Sequence, residues 1–149
     1  MVFNFLQIEP FLQILLAAFL GAIIGLERKY KKKEAGIRTF SLVSFGACFF
    51  TVMAVYLSSN QSSFPPFVQV DPGRVIQAIA IGIGFLGSGL IIYHKLQIEG
   101  LTTAAALWAA AAIGIGVALK LYSLSILGTL LIILILAGVR LFEEKFFPD

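Results

Sequence analysis

Apolar residues run in long stretches along this chain, and the charged residues fall between the stretches or at their ends. Five stretches, residues 10–26, 39–57, 74–93, 101–119 and 122–142, reach or approach the length needed for a span. A helix needs about 20 mainly apolar residues to cross a bilayer. None of the stretches alternates apolar and polar positions with period two, so a transmembrane barrel is not expected. Lipid offers backbone groups no hydrogen-bond partners, which leaves closed barrels and helices as the spanning structures. The pattern therefore predicts an all-α polytopic membrane protein, a bundle of five transmembrane helices forming one domain over residues 1–149.

Composition strengthens this reading. Hydrophobic residues make up 59% of the 149 and charged residues only 13%, with a mean hydropathy of +0.96. Soluble domains run at about 45–50% apolar and about 25% charged. A cytosolic enzyme, a disulfide scaffold and a nucleic-acid binder are all poor fits. The net charge of +3 and isoelectric point near 9.2 fit basic loops at a membrane better than a nucleic-acid surface. The single cysteine, Cys48, lies in an apolar stretch and can form no intramolecular disulfide.

The basic residues also orient the chain. Arg28, Lys29, Lys31, Lys32, Lys33 and Arg38 surround the first connection, Lys95 lies in the third, and Arg140 and Lys145 stand at the end of the fifth stretch and in the tail. The opposite side carries only Arg74 and Lys120. The positive-inside bias places the first loop and the C-terminus in the cytoplasm and the N-terminus outside. Residues 1–9 hold no Lys or Arg and so lack a signal peptide's basic start, and the first helix is expected to be retained. Residues 58–73, rich in serine and proline, read as an extracytoplasmic loop. Lys120 alone separates the last two stretches, predicting a tight helical hairpin. No soluble domain is expected beyond the fifth helix, and five spans do not divide into the halves of an inverted-repeat transporter.

Candidate chemistry is sparse. Asp71-Pro72-Gly73-Arg74 has an N-cap acid followed by a proline suited to the first helical position. This is the start of a helix, with Asp71 and Arg74 as an alternative outer ion pair. In the third stretch Gly82, Gly84 and Gly87 match a dinucleotide fingerprint, but no strand precedes them, so no such cofactor is expected. Placed at helical intervals, Val75, Ile76, Ile79, Ile83, Leu86 and Leu90 share one side, to face lipid or an apolar neighbour. Arg74, Gln77, Ala78, Gly82, Gly84, Ser88 and Gly89 share the other, which is expected to pack closely on another helix. Gln77 and Ser88 on that side also leave open a polar path.

The alanine-rich stretch 101–119 suits a central helix, with Thr102 and Thr103 as its caps. Glu27, Arg28, Arg38, His94 and Glu99 sit at the cytoplasmic boundary, where Glu27 and Arg38 are positioned to pair. Lys31 to Lys33 are placed to touch anionic headgroups. Ser88 and His94, six residues apart on one helix, cannot form a nucleophile–base pair, and LGSGL does not match a nucleophile elbow. No set of Cys, His or carboxylates has transition-metal spacing. An enzyme is not expected.

These strings carry a family resemblance. GAIIGLER (Gly21 to Arg28), AGIRTFSLVSFGA (Ala35 to Ala47), DPGRVIQ (Asp71 to Gln77), GIGFLGSG (Gly82 to Gly89) and GLTTAAALWAAAAIG (Gly100 to Gly114) resemble, in order, the MgtC/SapB family of bacterial inner-membrane proteins. The resemblance implies a five-helix hydrophobic domain and a link to virulence, intracellular survival and growth at low magnesium. It also implies a regulatory role through a membrane partner, an F-type ATP synthase or a P-type ATPase. Longer members carry a soluble C-terminal domain. Many have an acidic residue after GLER where this chain has Lys29, which argues against a cation site in the first loop. Magnesium takes oxygen ligands, and the candidate carboxylates divide, with Glu27 and Glu99 on one side of the membrane and Asp71 on the other. Two functions follow: regulation by helix–helix contact, or an oligomeric transporter or channel for magnesium or another cation. The glycine- and alanine-rich helices further suggest a homodimer through the third or fourth helix, the alternative being that they pack within one protomer.

Overall fold

A computed structural model describes residues 8–139, apart from 66, 68, 95 and 96. Five helices follow one another: α1 (Ile8–Tyr30), α2 (Ile37–Ser59), α3 (Pro72–Ser88), α4 (Leu101–Ala118) and α5 (Tyr122–Ile133). A π-helical stretch, Leu134–Val139, continues α5. Among the described residues α1, α2 and α4 are long and apolar enough to cross a membrane, while Pro72–Ser88 and Tyr122–Gly138 are shorter apolar helices. Lys95, Arg140, Lys145, the end of the fifth predicted stretch and the tail lie outside the described residues.

The third predicted span is shorter than expected. Its helix stops at Ser88, and Ile92–His94 (β1) and Gln97–Glu99 (β2) pair as an antiparallel hairpin, with Tyr93 opposite Ile98. Gly87 and Gly89 flank the stop, and the β-branched and aromatic run Ile91-Ile92-Tyr93 favours extended backbone over helix. Gly100 then adopts φ +87°, where a side chain would strike the Leu90 carbonyl. Only glycine enters that turn at little cost.

The alanine-rich α4 is central, as expected, and packs on all four other helices. Its Ala106, Leu107, Ala110, Ile113 and Val117 form a core with Ala17, Leu20 and Ile24 of α1 and Phe40 and Cys48 of α2. Around this core the outer surface is strongly apolar: Phe19 of α1, Phe85 of α3 and Leu127 of α5 are all exposed. Water would penalise such a surface, whereas lipid tails match it. The chain is a membrane protein.

Close approach of α1, α2 and α4 depends on glycine. A Cβ on Gly21 would clash with the Phe40 carbonyl and Ser44, one on Gly25 with Ile37 and Gly36, and one on Gly114 with the Ser44 carbonyl. Gly21 and Gly25 form a GxxxG pair, the spacing that lets two helices touch along their backbones. Ser44 is thus held between a glycine of α1 and a glycine of α4. The glycines of α3 behave differently. A Cβ on Gly82 or Gly84 would meet nothing within 4 Å among the described residues, and only Gly87 packs on another helix, against Ala104. Gly89 merely caps its own helix. The expected faces of α3 are therefore corrected: bulky Ile83 turns toward the core, while Gly82, Gly84, Gln77 and Ser88 turn outward.

Candidate functional site

Charge concentrates at the end of the bundle where α1 meets α2. Arg28, in the last turn of α1, is 2% exposed, an unusual depth for a guanidinium. Its Nε donates to Oε2 of Glu27, whose side chain is 11% exposed. The other oxygen of Glu27, Oε1, is buried with no hydrogen-bond partner among the described residues. Burying a charge is tolerated only when an opposite charge accompanies it. The pair therefore stands or falls together.

Beside it the connection from α1 to α2 turns through Lys32, at φ 54°, and carries Glu34 back toward α4. Thr103 donates its hydroxyl hydrogen to Oε2 of Glu34 at 2.8 Å. A backbone amide bond, the Thr103 hydroxyl and the nearby charges of Lys33 and Arg28 hold the Glu34 carboxyl below its usual range. At this end the Thr103–Glu34 bond thus ties the first loop to α4, beside the Glu27–Arg28 pair in the last turn of α1.

The other end is closed by different contacts. Gln13 of α1 is buried and donates from Nε2 to the Val117 and Ala118 carbonyls, at 3.0 and 3.2 Å. These carbonyls are among the last of α4, which have no partner inside their own helix. Glu9 and Lys120 pair at 2.8 Å in the open, raising the Lys120 pKa. Between the two ends the buried hydroxyls of Thr51 and Thr129 bond back to the carbonyls of Ala47 and Ser125 in their own helices.

Several sequence expectations are redistributed. Glu27 and Arg38 do not pair: Glu27 takes its neighbour Arg28, and Arg38 stands exposed on the first turn of α2. The threonines do not cap α4, since Gly100 is its N-cap without a side-chain bond, Thr102 is exposed and Thr103 reaches Glu34. Asp71 is the helix start that its motif indicates, accepting from the Gly73 amide at 2.8 Å, with Arg74 a loose and exposed companion at 3.7 Å. Ser88 donates to the Phe85 carbonyl, Gln77 is exposed, and Glu99 lies exposed in β2 opposite Ile92.

Gln13, Glu34 and Ser44 were absent from the expected set although each left a trace. Gln13 is the one polar side chain in residues 10–26, and Glu34 is the one acid in a lysine run. Ser44 is embedded between the two glycine contacts, with its Oγ buried and unpartnered among the described residues. Among the described residues, no group of three or more His, Cys, Asp or Glu is placed to hold a metal ion.

A model of the MgtC family matches residues 14–145. The chain is 38% identical to SrpB of Synechococcus elongatus over 136 residues, 86% of this chain and 73% of that protein. It is 36% identical over 128 residues to YhiD of Escherichia coli K12, which is described as a candidate magnesium transporter; this covers 86% of the chain and 59% of YhiD. It is also 38% identical over 122 residues to MgtC of Salmonella typhimurium, covering 82% of the chain and 48% of that protein. The chain spans about half to three fifths of the length of most of the curated relatives it matches. No solved structure matches the chain significantly.

Proposed function

Because the chain belongs to the MgtC family, we propose that it is a regulatory protein of the bacterial inner membrane. In this reading it serves adaptation to low magnesium and intracellular survival, acting by helix contact on a membrane partner such as an ATP synthase or a P-type ATPase. The supporting observation is the outer face of α3. Gln77 lies there, exposed, with no hydrogen-bond partner among the described residues, and about two turns on, the same face holds Gly84 with open space in front of it. In lipid an unpaired amide gains from a partner helix, and a glycine lets that helix come close. The orientation proposed with it keeps the first loop and the C-terminus in the cytoplasm.

A photo-crosslinking residue at Gly84, used in native membranes, tests this. The regulatory reading expects one defined adduct from Gly84 and none from Leu127, an exposed position on α5. An ATPase subunit in that adduct supports the named partner, a second copy supports a homodimer, and its absence ends the reading. One observation favours the second reading, cation transport: Oε1 of Glu27, a buried carboxylate oxygen without a partner among the described residues. Purified protein in liposomes decides it. Magnesium or proton flux that disappears in Glu27→Gln supports transport, and a silent vesicle removes it.

A further inference from the structure

Between α2 and α3 the bundle is open. The two helices diverge around a groove of about 690 Å³ with Leu42, Phe50 and Leu86 among its walls and Gly82 at its side. Arg38 and Thr39 stand at one end, and Phe50 and Val75 lie at the other. We propose that this groove is a binding site for an anionic phospholipid, with the acyl chains between α2 and α3 and the headgroup at Arg38.

Length and an apolar lining suit hydrocarbon chains. Thr39 to Phe50 is three turns of α2, so the groove runs for roughly 17 Å at about 1.5 Å per residue. The length is close to half of the roughly 30 Å hydrocarbon thickness of a bilayer. A groove one leaflet deep suits a lipid of that leaflet.

Charge selects the headgroup. Arg38 has no acidic partner among the described residues, because Arg28 takes Glu27 and Thr103 takes Glu34. Thr39 adds a hydroxyl beside it, and Lys31, Lys32 and Lys33 lie in the connection that leads into α2. A guanidinium matches a phosphate with paired donors. Basic pockets at the membrane end of a helix pair are sites where anionic headgroups gather. Everything else that lines the groove is apolar.

The test uses the full chain purified in mild detergent and titrated with phosphatidylglycerol or phosphatidylcholine of identical acyl chains, with bound lipid read by native mass spectrometry. Phosphatidylglycerol is expected to bind about fivefold more tightly, the worth of one cation near an anionic headgroup. Arg38→Gln is expected to abolish the preference and Arg38→Lys to keep most of it. Gly82→Leu projects into open space, so it is expected to leave the melting temperature unchanged while weakening both lipids at least tenfold. Ala78→Leu, at a second exposed lining position, repeats that measurement independently. Glycerol phosphate alone is expected not to compete, since the chains carry much of the binding. Equal binding of the two lipids to the unaltered protein, or an unchanged preference in Arg38→Gln, overturns the proposal. So does full lipid binding in both groove-filling variants, or a dimer whose copies crosslink within the groove.

Discussion

Thr103, at the start of α4, donates a hydrogen bond of 2.8 Å to the carboxylate of Glu34 in the loop between α1 and α2. That bond joins residues 69 apart in sequence and fixes the first loop onto the central helix. Thr103→Val is expected to lower stability by about 1 kcal/mol, the low end for a charged acceptor because Glu34 also meets solvent. The sign of its pH dependence follows from the lowered pKa of Glu34. A depressed pKa stabilises the folded state above the unfolded value and loses that contribution as pH falls through the folded one. The melting-temperature gap between the unaltered protein and Thr103→Val should therefore be full near neutrality and close below pH 4.5. A gap that stays constant into acid would detach Glu34 from the effect.

Arg28 and Glu27 make a second prediction. Arg28→Ala leaves a largely buried carboxylate without its cation and is expected to cost roughly 3–5 kcal/mol. Replacing both, as Glu27→Gln with Arg28→Met, is expected to recover most of that loss. Denaturation of the single and double variants in the same detergent measures the coupling. A double variant no better than Arg28→Ala would assign the arginine's role to packing alone.

The glycines separate into two classes. Gly21→Leu and Gly114→Leu drive a side chain into the backbone of α2 and are expected to cost about 3 kcal/mol or more, or to prevent folding. Gly84→Leu meets open space and is expected to be tolerated within about 1 kcal/mol, the helix preference of leucine offsetting any loss. Thermal unfolding of the three variants compares them directly. Equal sensitivity at Gly84 and Gly21 would mean that α3 has a neighbour outside this chain.

Gln13 provides a fourth test, at the far end of the bundle. Gln13→Leu removes two hydrogen bonds to the closing carbonyls of α4 and is expected to destabilise by about 1 kcal/mol. Hydrogen exchange near Val117 and Ala118 should quicken in the same variant. No change in either measurement would show that other donors, the Lys120 amide on Val117 among them, satisfy those carbonyls without Gln13.

The orientation is tested with cysteines. With Cys48 replaced, a cysteine at Lys32 is expected to resist an impermeant thiol reagent in intact cells and to react after lysis. One at Lys120 is expected to react in intact cells. Both positions are exposed, so accessibility reports the side of the membrane rather than burial.

The sequence by itself determined that this chain is a helical membrane protein, roughly where its helices begin, that α4 is central and that Asp71 opens α3. Each of these depends on local properties: the length of an apolar run, the bulk of its side chains, the fit of an acid and a proline at a helix start. The tertiary structure decided which faces meet. In water an apolar face must turn inward, so a helix's pattern reveals its packed side. In lipid a bulky face is equally at home against the tails, and packing goes to whichever side allows backbones to approach. That is why the glycines of α3 suggested a buried face that the fold leaves open, while Gly21, Gly25 and Gly114 carry the crossings. The charged end shows the same division. Glu27, Arg28 and Arg38 stood out as boundary charges, but no spacing along the chain could show that Arg28 goes inward with Glu27, Arg38 stays outward, and Glu34 bonds to a threonine 69 residues away. Partner choice between distant segments is settled only when the helices around α4 set those side chains side by side.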